Sequence, residues 1–261
     1  MASLVKFFLI TFAVTWAFYF ASIALSSSSP AIPGVLVFAG TIAPAFVALA
    51  LTPAADRMTL IERTLQWRVG LRWYAFALGF IIVVRLAVAV ASRYLTGEWP
   101  RLAEQPSLLI VAVAILFSTP FQAGEEIGWR GFALPRLAER YGFGMGSIIL
   151  GLIWAGWHLP LFYLAIPGNE EYGRSFPAWA IGVTALSVTF GWLYVRTGRS
   201  LLLTMLMHSV VNNIPHFEAR GIAVRATVTS FNAWPTAWLM DICLWIAAGY
   251  FLIRLRRIRV V

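Results

Sequence analysis

The sequence predicts an all-α, polytopic membrane protein of about eight transmembrane helices around a polar intramembrane cavity open to the cytoplasm. Three observations predict it. Of the 261 residues, 60% are hydrophobic and 12% charged, against the roughly 25% charged share of a soluble domain. Apolar runs of about twenty residues, enough to cross a hydrocarbon core of roughly 30 Å, recur along nearly the whole chain. Three polar clusters interrupt those runs: Glu125-Glu126-Ile127-Gly128-Trp129-Arg130, Trp154-Ala155-Gly156-Trp157-His158 and His208-Ser209-Val210-Val211-Asn212. Ionisable groups at membrane depth are costly, so such clusters read as a functional site.

The spans fall at about 5–25, 33–51, 73–91, 108–124, 145–163, 177–194, 201–213 (short) and 234–253 when hydropathy is read over about twenty residues. The first starts at Lys6 and exits into four serines and Pro30, the outline of a signal peptide. Its apolar run is too long for an h-region, so it reads as an uncleaved anchor. The third carries Arg85 at its centre, a residue that must pair or line water. Asp241, near the outer end of the last span, differs from it in depth, and Arg85 reads as structural. Residues 56–72 mix Arg63, Arg68 and Arg72 with Leu60, Ile61, Leu65, Trp67 and Val69, the pattern of an amphipathic helix at the headgroups or of a basic loop. No repeat and no second domain is evident, so residues 1–261 form one membrane domain with its motif-bearing core at about 108–213.

Cytoplasmic loops carry the excess of Lys and Arg, and that rule orients the chain. With the N-terminus inside, the inner set is Lys6, Arg57, Arg63, Arg68, Arg72, Arg130, Arg136, Arg140, Arg196, Arg199, Arg254, Arg256, Arg257 and Arg259. The outer set is only Arg93, Arg101, Arg174, Arg220 and Arg225. Both termini are therefore expected in the cytoplasm, in a plasma (inner) membrane. This topology accounts for the formal charge of +9; a nucleic-acid partner needs a contiguous solvent-facing basic surface that the chain lacks. The single cysteine, Cys243, allows no intramolecular disulfide and no cysteine metal cluster.

On a helix, Glu126 and Arg130 share a face four residues apart and form a natural ion pair. Glu125 points about 100° away, without that partner, as a general base or acid would. Split environments for adjacent carboxylates go with split roles. His208 and Asn212 are one turn apart, and Trp154 stands one turn before His158, where its ring walls the imidazole. At 1.5 Å per residue, His158 lies roughly 20 Å and His208 roughly 12 Å along their helices from the inner ends. With Glu125 at the inner end of its span, all can meet in the cytoplasmic half of the bilayer. A carboxylate near two histidines can activate water for attack on a peptide carbonyl, while a carboxamide and an imidazole N–H stabilise the oxyanion. No His-Glu-x-x-His helix, Gly-x-Ser-x-Gly elbow or phosphate loop offers another chemistry. His216, Glu170 and Glu171 read as outer-loop residues, and the twelve tryptophans as interface belts and packing.

The ordered trio Glu-Glu-x-x-x-Arg, aromatic-x-x-x-His and His-x-x-x-Asn, spanning residues 125–212, resembles the CPBP family: the type II CAAX prenyl proteases and their bacterial relatives linked to bacteriocin processing and self-immunity. The resemblance implies an intramembrane endopeptidase. Glu125 and His158 would activate the water, His208 and Asn212 would stabilise the oxyanion, and Glu126 with Arg130 would brace the site. The second motif commonly begins with Phe; here Trp154 stands in its place. A divalent metal such as zinc, if present, would use Glu125, His158 and His208, yet these residues equally suit a metal-free mechanism, which is favoured. The expected partners are the lipid bilayer and a peptide or protein substrate entering from the inner leaflet. A non-catalytic immunity or scaffold protein is the alternative. A transporter is disfavoured by the absence of an inverted repeat.

Overall fold

The structure is a computed structural model and describes residues 2–27, 31–102, 106–167, 169, 171–215 and 235–256. Glu170, His216, Arg220, Arg225, Arg257 and Arg259 lie outside the described residues. Among those described, the chain forms eleven α-helices and no strand: α1 (Ala2–Ala24), α2 (Ala31–Leu51), α3 (Ala54–Glu62), α4 (Leu71–Thr96), α5 (Leu108–Ser118), α6 (Ala123–Glu126), α7 (Leu134–Trp157), α8 (Leu159–Tyr163), α9 (Phe176–Arg196), α10 (Leu201–Asn213) and α11 (Pro235–Leu255). In lipid every backbone N–H and C=O needs an internal partner, which an apolar helix supplies to itself.

Among the described residues, six stretches are long and apolar enough to cross a membrane: α1, α2, α4, the continuous Leu108–Trp157, α9 and Trp238–Leu255. The chain is thus a multi-pass membrane protein. Leu108–Trp157 has 50 residues, about 75 Å if straight, more than twice a hydrocarbon core of roughly 30 Å. It is not straight. A 3-10 turn at Thr119–Gln122 and a π-helical segment at Ile127–Ala133 follow α5, and Gly142 (φ 71°, ψ 162°) breaks α7 in a region of backbone space open essentially to glycine. The predicted spans 108–124 and 145–163 both fall on this folded stretch and its continuation into α8, and the predicted span 201–213 is the short helix α10.

Three local features hold the helices that carry the polar clusters. Pro44 lies inside α2 and has no N–H for the carbonyl of Gly40. The hydroxyl of Thr15 on α1 donates to that carbonyl at 2.8 Å, and the indole N–H of Trp157 on α7 donates to the same hydroxyl oxygen at 2.9 Å. The carbonyl that Pro44 leaves without a helical donor thereby links α2 to α1 and to the end of α7. Second, Gly124 and Gly128 let the segment around Glu125 and Glu126 lie directly on α2. A Cβ at Gly128 would stand 2.6 Å from Cβ and 2.8 Å from the carbonyl oxygen of Pro44, and one at Gly124 would stand 2.9 Å from Cα of Ile42. Third, the N-cap hydroxyl of α10, on Ser200, accepts from the backbone N–H of Leu203 and donates to the carbonyl of Gln66 at 2.7 Å.

The segment 56–72 is helical as far as Glu62, turns once as a 3-10 helix at Arg63–Leu65, and then docks on the α9–α10 connection. Arg63 donates to the Tyr194 hydroxyl at 3.2 Å and Gln66 to the Thr197 carbonyl at 3.2 Å. Arg85, buried in α4, donates to the carbonyls of Ile214 and Pro215, so it satisfies acceptors at the end of α10. Asp241 lies against Gly182 of α9. Arg130 does not belong with the loop charges used to orient the chain: it is fully buried.

Candidate active site

Proline decides where the second cluster stops being helix. Pro160 lacks the N–H that would continue α7, and the chain turns at His158, which ends α7 and begins α8. His158 therefore sits at a break rather than on a helix flank. Its Nδ1 lies 2.8 Å from the Trp154 carbonyl oxygen. A carbonyl only accepts, so Nδ1 carries the proton and Nε2 of the neutral ring keeps a free lone pair. The imidazole is boxed by the rings of Trp157 at 4.6 Å, Trp179 at 4.8 Å and Trp154 at 5.6 Å between centroids.

The two carboxylates have separate partners. Arg130 donates to Oε1 of Glu126 at 2.8 Å, and Nδ1 of His208 lies 2.9 Å from the same oxygen. The Arg130 guanidinium also stands 4.4 Å from the ring centroid of Trp154 and 4.5 Å from that of Phe190, an arrangement in which ring faces attract the cation. Glu125 is hydrogen-bonded to neither Arg130 nor His208. Its Oε2 accepts from the indole N–H of Trp154 at 2.7 Å and of Trp129 at 3.3 Å. The exposures are 6% for Glu125, 0% for Glu126, 0% for Arg130 and 4% for His208, so this centre is closed. His158 is half-buried and Asn212 exposed.

Of the residues singled out in the sequence, Glu125, Glu126, Arg130, Trp154, His158 and His208 thus share one site. Asn212 follows His208 by one turn on α10 and is exposed at its margin, while its neighbour Asn213 donates to the Ser118 hydroxyl and the Ser209 carbonyl, both at 2.8 Å, and ties α10 to the end of α5. Sequence reasoning passed over Trp129, although it stands four residues after Glu125 and so on its helix face. Trp179 and Phe190 come from a separate helix, and nothing local in the sequence points to them.

Among the described residues no three His, Cys, Asp or Glu side chains converge closely enough to hold an ion. One oxygen of Glu125 is engaged by two indoles, and Nδ1 of His158 and of His208 by an internal acceptor, which leaves the other carboxylate oxygen and both Nε2 atoms as the groups that could hold a ligand or a metal.

Fold and site together define a multi-pass, all-helical membrane protein with a polar centre closed inside its helices. The family model described as type II CAAX prenyl endopeptidase Rce1-like matches residues 105–214, which hold all three clusters. The chain is also similar to CAAX prenyl protease 2 of Methanococcus maripaludis, at 27% identity over 114 residues, 41% of this chain and 38% of that protein. The match thus spans well under half of the relative's length. Both similarities are to intramembrane proteases of the CPBP type and extend over part of the chain.

Proposed function

We propose that the chain is an intramembrane endopeptidase that hydrolyses a peptide bond of a peptide or membrane-anchored protein near the cytoplasmic leaflet. The observation that carries this reading is the division between adjacent carboxylates: Glu126 is engaged by Arg130 and His208, whereas Glu125 meets only neutral donors, one of them Trp154, whose carbonyl holds His158. Glu125 is the general base. It takes a proton from water as the water oxygen attacks the carbonyl carbon, and delivers that proton to the departing amine as the C–N bond breaks. His158, its Nδ1–H held by a carbonyl, turns the Nε2 lone pair to the same water. His208 and Asn212 donate to the oxyanion. With Nδ1–H directed at Glu126, His208 donates from Nε2 only as the imidazolium, for which Glu126 is a counter-ion. The proposal includes cytoplasmic termini and entry of the substrate from the inner leaflet, past the partly open His158 and Asn212.

The test is cleavage of a fluorogenic, lipid-anchored peptide panel by detergent-purified protein, with Glu125→Gln and His158→Ala beside wild type, each with and without chelator. Cleavage by wild type that is lost in both variants and survives chelation is expected. A Glu125→Gln protein retaining full proteolysis would sink the mechanism. Activity abolished by chelator and restored by zinc would replace the metal-free reading.

A further inference from the structure

We propose that Trp154 is a positioning residue for Glu125: its indole N–H, seconded by that of Trp129, ties down one carboxylate oxygen and leaves the other to take the proton of the attacking water. The inference rests on the peptidase reading of the site. Two donors from different elements, α7 and the π-helical segment, converge on the single atom Oε2, at 2.7 and 3.3 Å. A carboxylate oxygen offers two lone pairs, so two indoles fill it. Among the described residues nothing donates to Oε1, and that atom is not among those sealed from the outside without a partner.

The clamp is rigid. Trp129 is fully buried between the rings of Phe7 and Trp157, each 5.6 Å from it. Trp154 is buried against Phe190, His158 and His208, at centroid distances of 6.1, 5.6 and 5.5 Å. Neither indole can release Oε2 without opening that packing. An indole N–H donates and never accepts, so the clamp cannot compete with Glu125 for the water's proton. Donors aimed at one oxygen favour the charged carboxylate and direct the incoming proton to the other.

Trp154 serves the site through three different groups: the N–H holds Glu125, the carbonyl holds Nδ1 of His158, and the ring face meets the Arg130 guanidinium. Phenylalanine retains the second and third and lacks the first. The donor can therefore be isolated by substitution.

The experiment compares wild type, Trp154→Phe, and a protein with 3-benzothienylalanine at position 154, which keeps the bicyclic shape and lacks the N–H. Loss of a hydrogen bond to a charged group is expected to lower kcat roughly ten- to hundredfold in both. In the benzothienyl protein KM and the melting midpoint stay at wild-type values, a split that a packing role would not produce. Wild-type kcat in the benzothienyl protein overturns the proposal. A second readout is independent of turnover: the ultraviolet resonance Raman band sensitive to indole hydrogen bonding, taken as the wild type minus Trp154→Phe difference, with and without Glu125→Leu. A strongly bonded indole at 154 that becomes free in Glu125→Leu supports the clamp; an indole already free in otherwise wild-type protein overturns it. Should wild type cleave no peptide, the peptidase reading fails and the Raman arm alone decides the clamp.

Discussion

Replacing Glu125 by Gln keeps the side chain's size and leaves a carbonyl oxygen for the two indoles, while removing the capacity to take a proton. Cleavage is therefore expected to fall about 10²- to 10⁴-fold with an unchanged melting midpoint, measured by initial rates beside a thermal scan in detergent. Glu126 answers to different physics. Arg130→Met leaves a buried carboxylate without its guanidinium and should cost about 3–5 kcal/mol, whereas Glu126→Gln/Arg130→Met removes both charges of that ion pair and should recover much of that loss. Denaturant midpoints of the single and double variants check this; equal losses in the two would show that charge compensation is not what Arg130 contributes. The ion pair was legible from the four-residue spacing of Glu126 and Arg130. The indoles on Glu125 were half legible, since Trp129 shares its helix face but Trp154 reaches it from 29 residues away.

Helix contacts distinguish two ways in which a glycine is needed. At Gly128 the backbone is ordinary and the neighbour is close, so alanine must push Pro44 and α2 aside, an overpacking cost of about 1–3 kcal/mol that also moves Glu125. At Gly142 an added Cβ meets nothing within 4 Å, but the backbone lies where only glycine is comfortable, so alanine costs about 1–3 kcal/mol through strain alone. Gly128→Ala should therefore lose activity beyond its loss of stability, and Gly142→Ala should lose stability first; kcat/KM plotted against melting midpoint separates them. The link between α1, α2 and α7 gives a further expectation. Thr15→Val leaves the Gly40 carbonyl and the Trp157 N–H without partners and should cost about 1–3 kcal/mol, while Thr15→Ser keeps the hydroxyl and most of the stability. Thermal midpoints of the two variants test it.

For the molecule as a whole, cytoplasmic termini make an expectation that labelling can check. Cys243 is the single cysteine, so a cysteine-free background takes one substitution. In that background Glu98→Cys should react with an impermeant maleimide added to intact cells, and Arg68→Cys only after the membrane is opened. The reverse pattern would invert the topology. Fold class was readable because hydropathy is a local property: a twenty-residue apolar run must be helical in lipid whatever surrounds it. Segment boundaries were readable only in part, because the path from Leu108 to Trp157 is shaped by a 3-10 turn, a π-helical segment and a glycine whose conformation depends on what each turn packs against.

The sequence by itself determined that the chain crosses a membrane repeatedly, that Glu126 and Arg130 share a helix face, and that three polar clusters belong to a recognisable set. Helical periodicity and the cost of charge in lipid act over one or two turns, and one chain displays them. The tertiary structure alone decided that His208 joins Arg130 on Glu126, that two indoles fill one oxygen of Glu125, that three tryptophans box His158, that Asn212 lies exposed at the margin, and that Arg85 serves the end of α10. Those outcomes depend on which helices lie side by side, and hydrogen bonds and ring contacts made across tens of residues leave no periodic mark in the sequence.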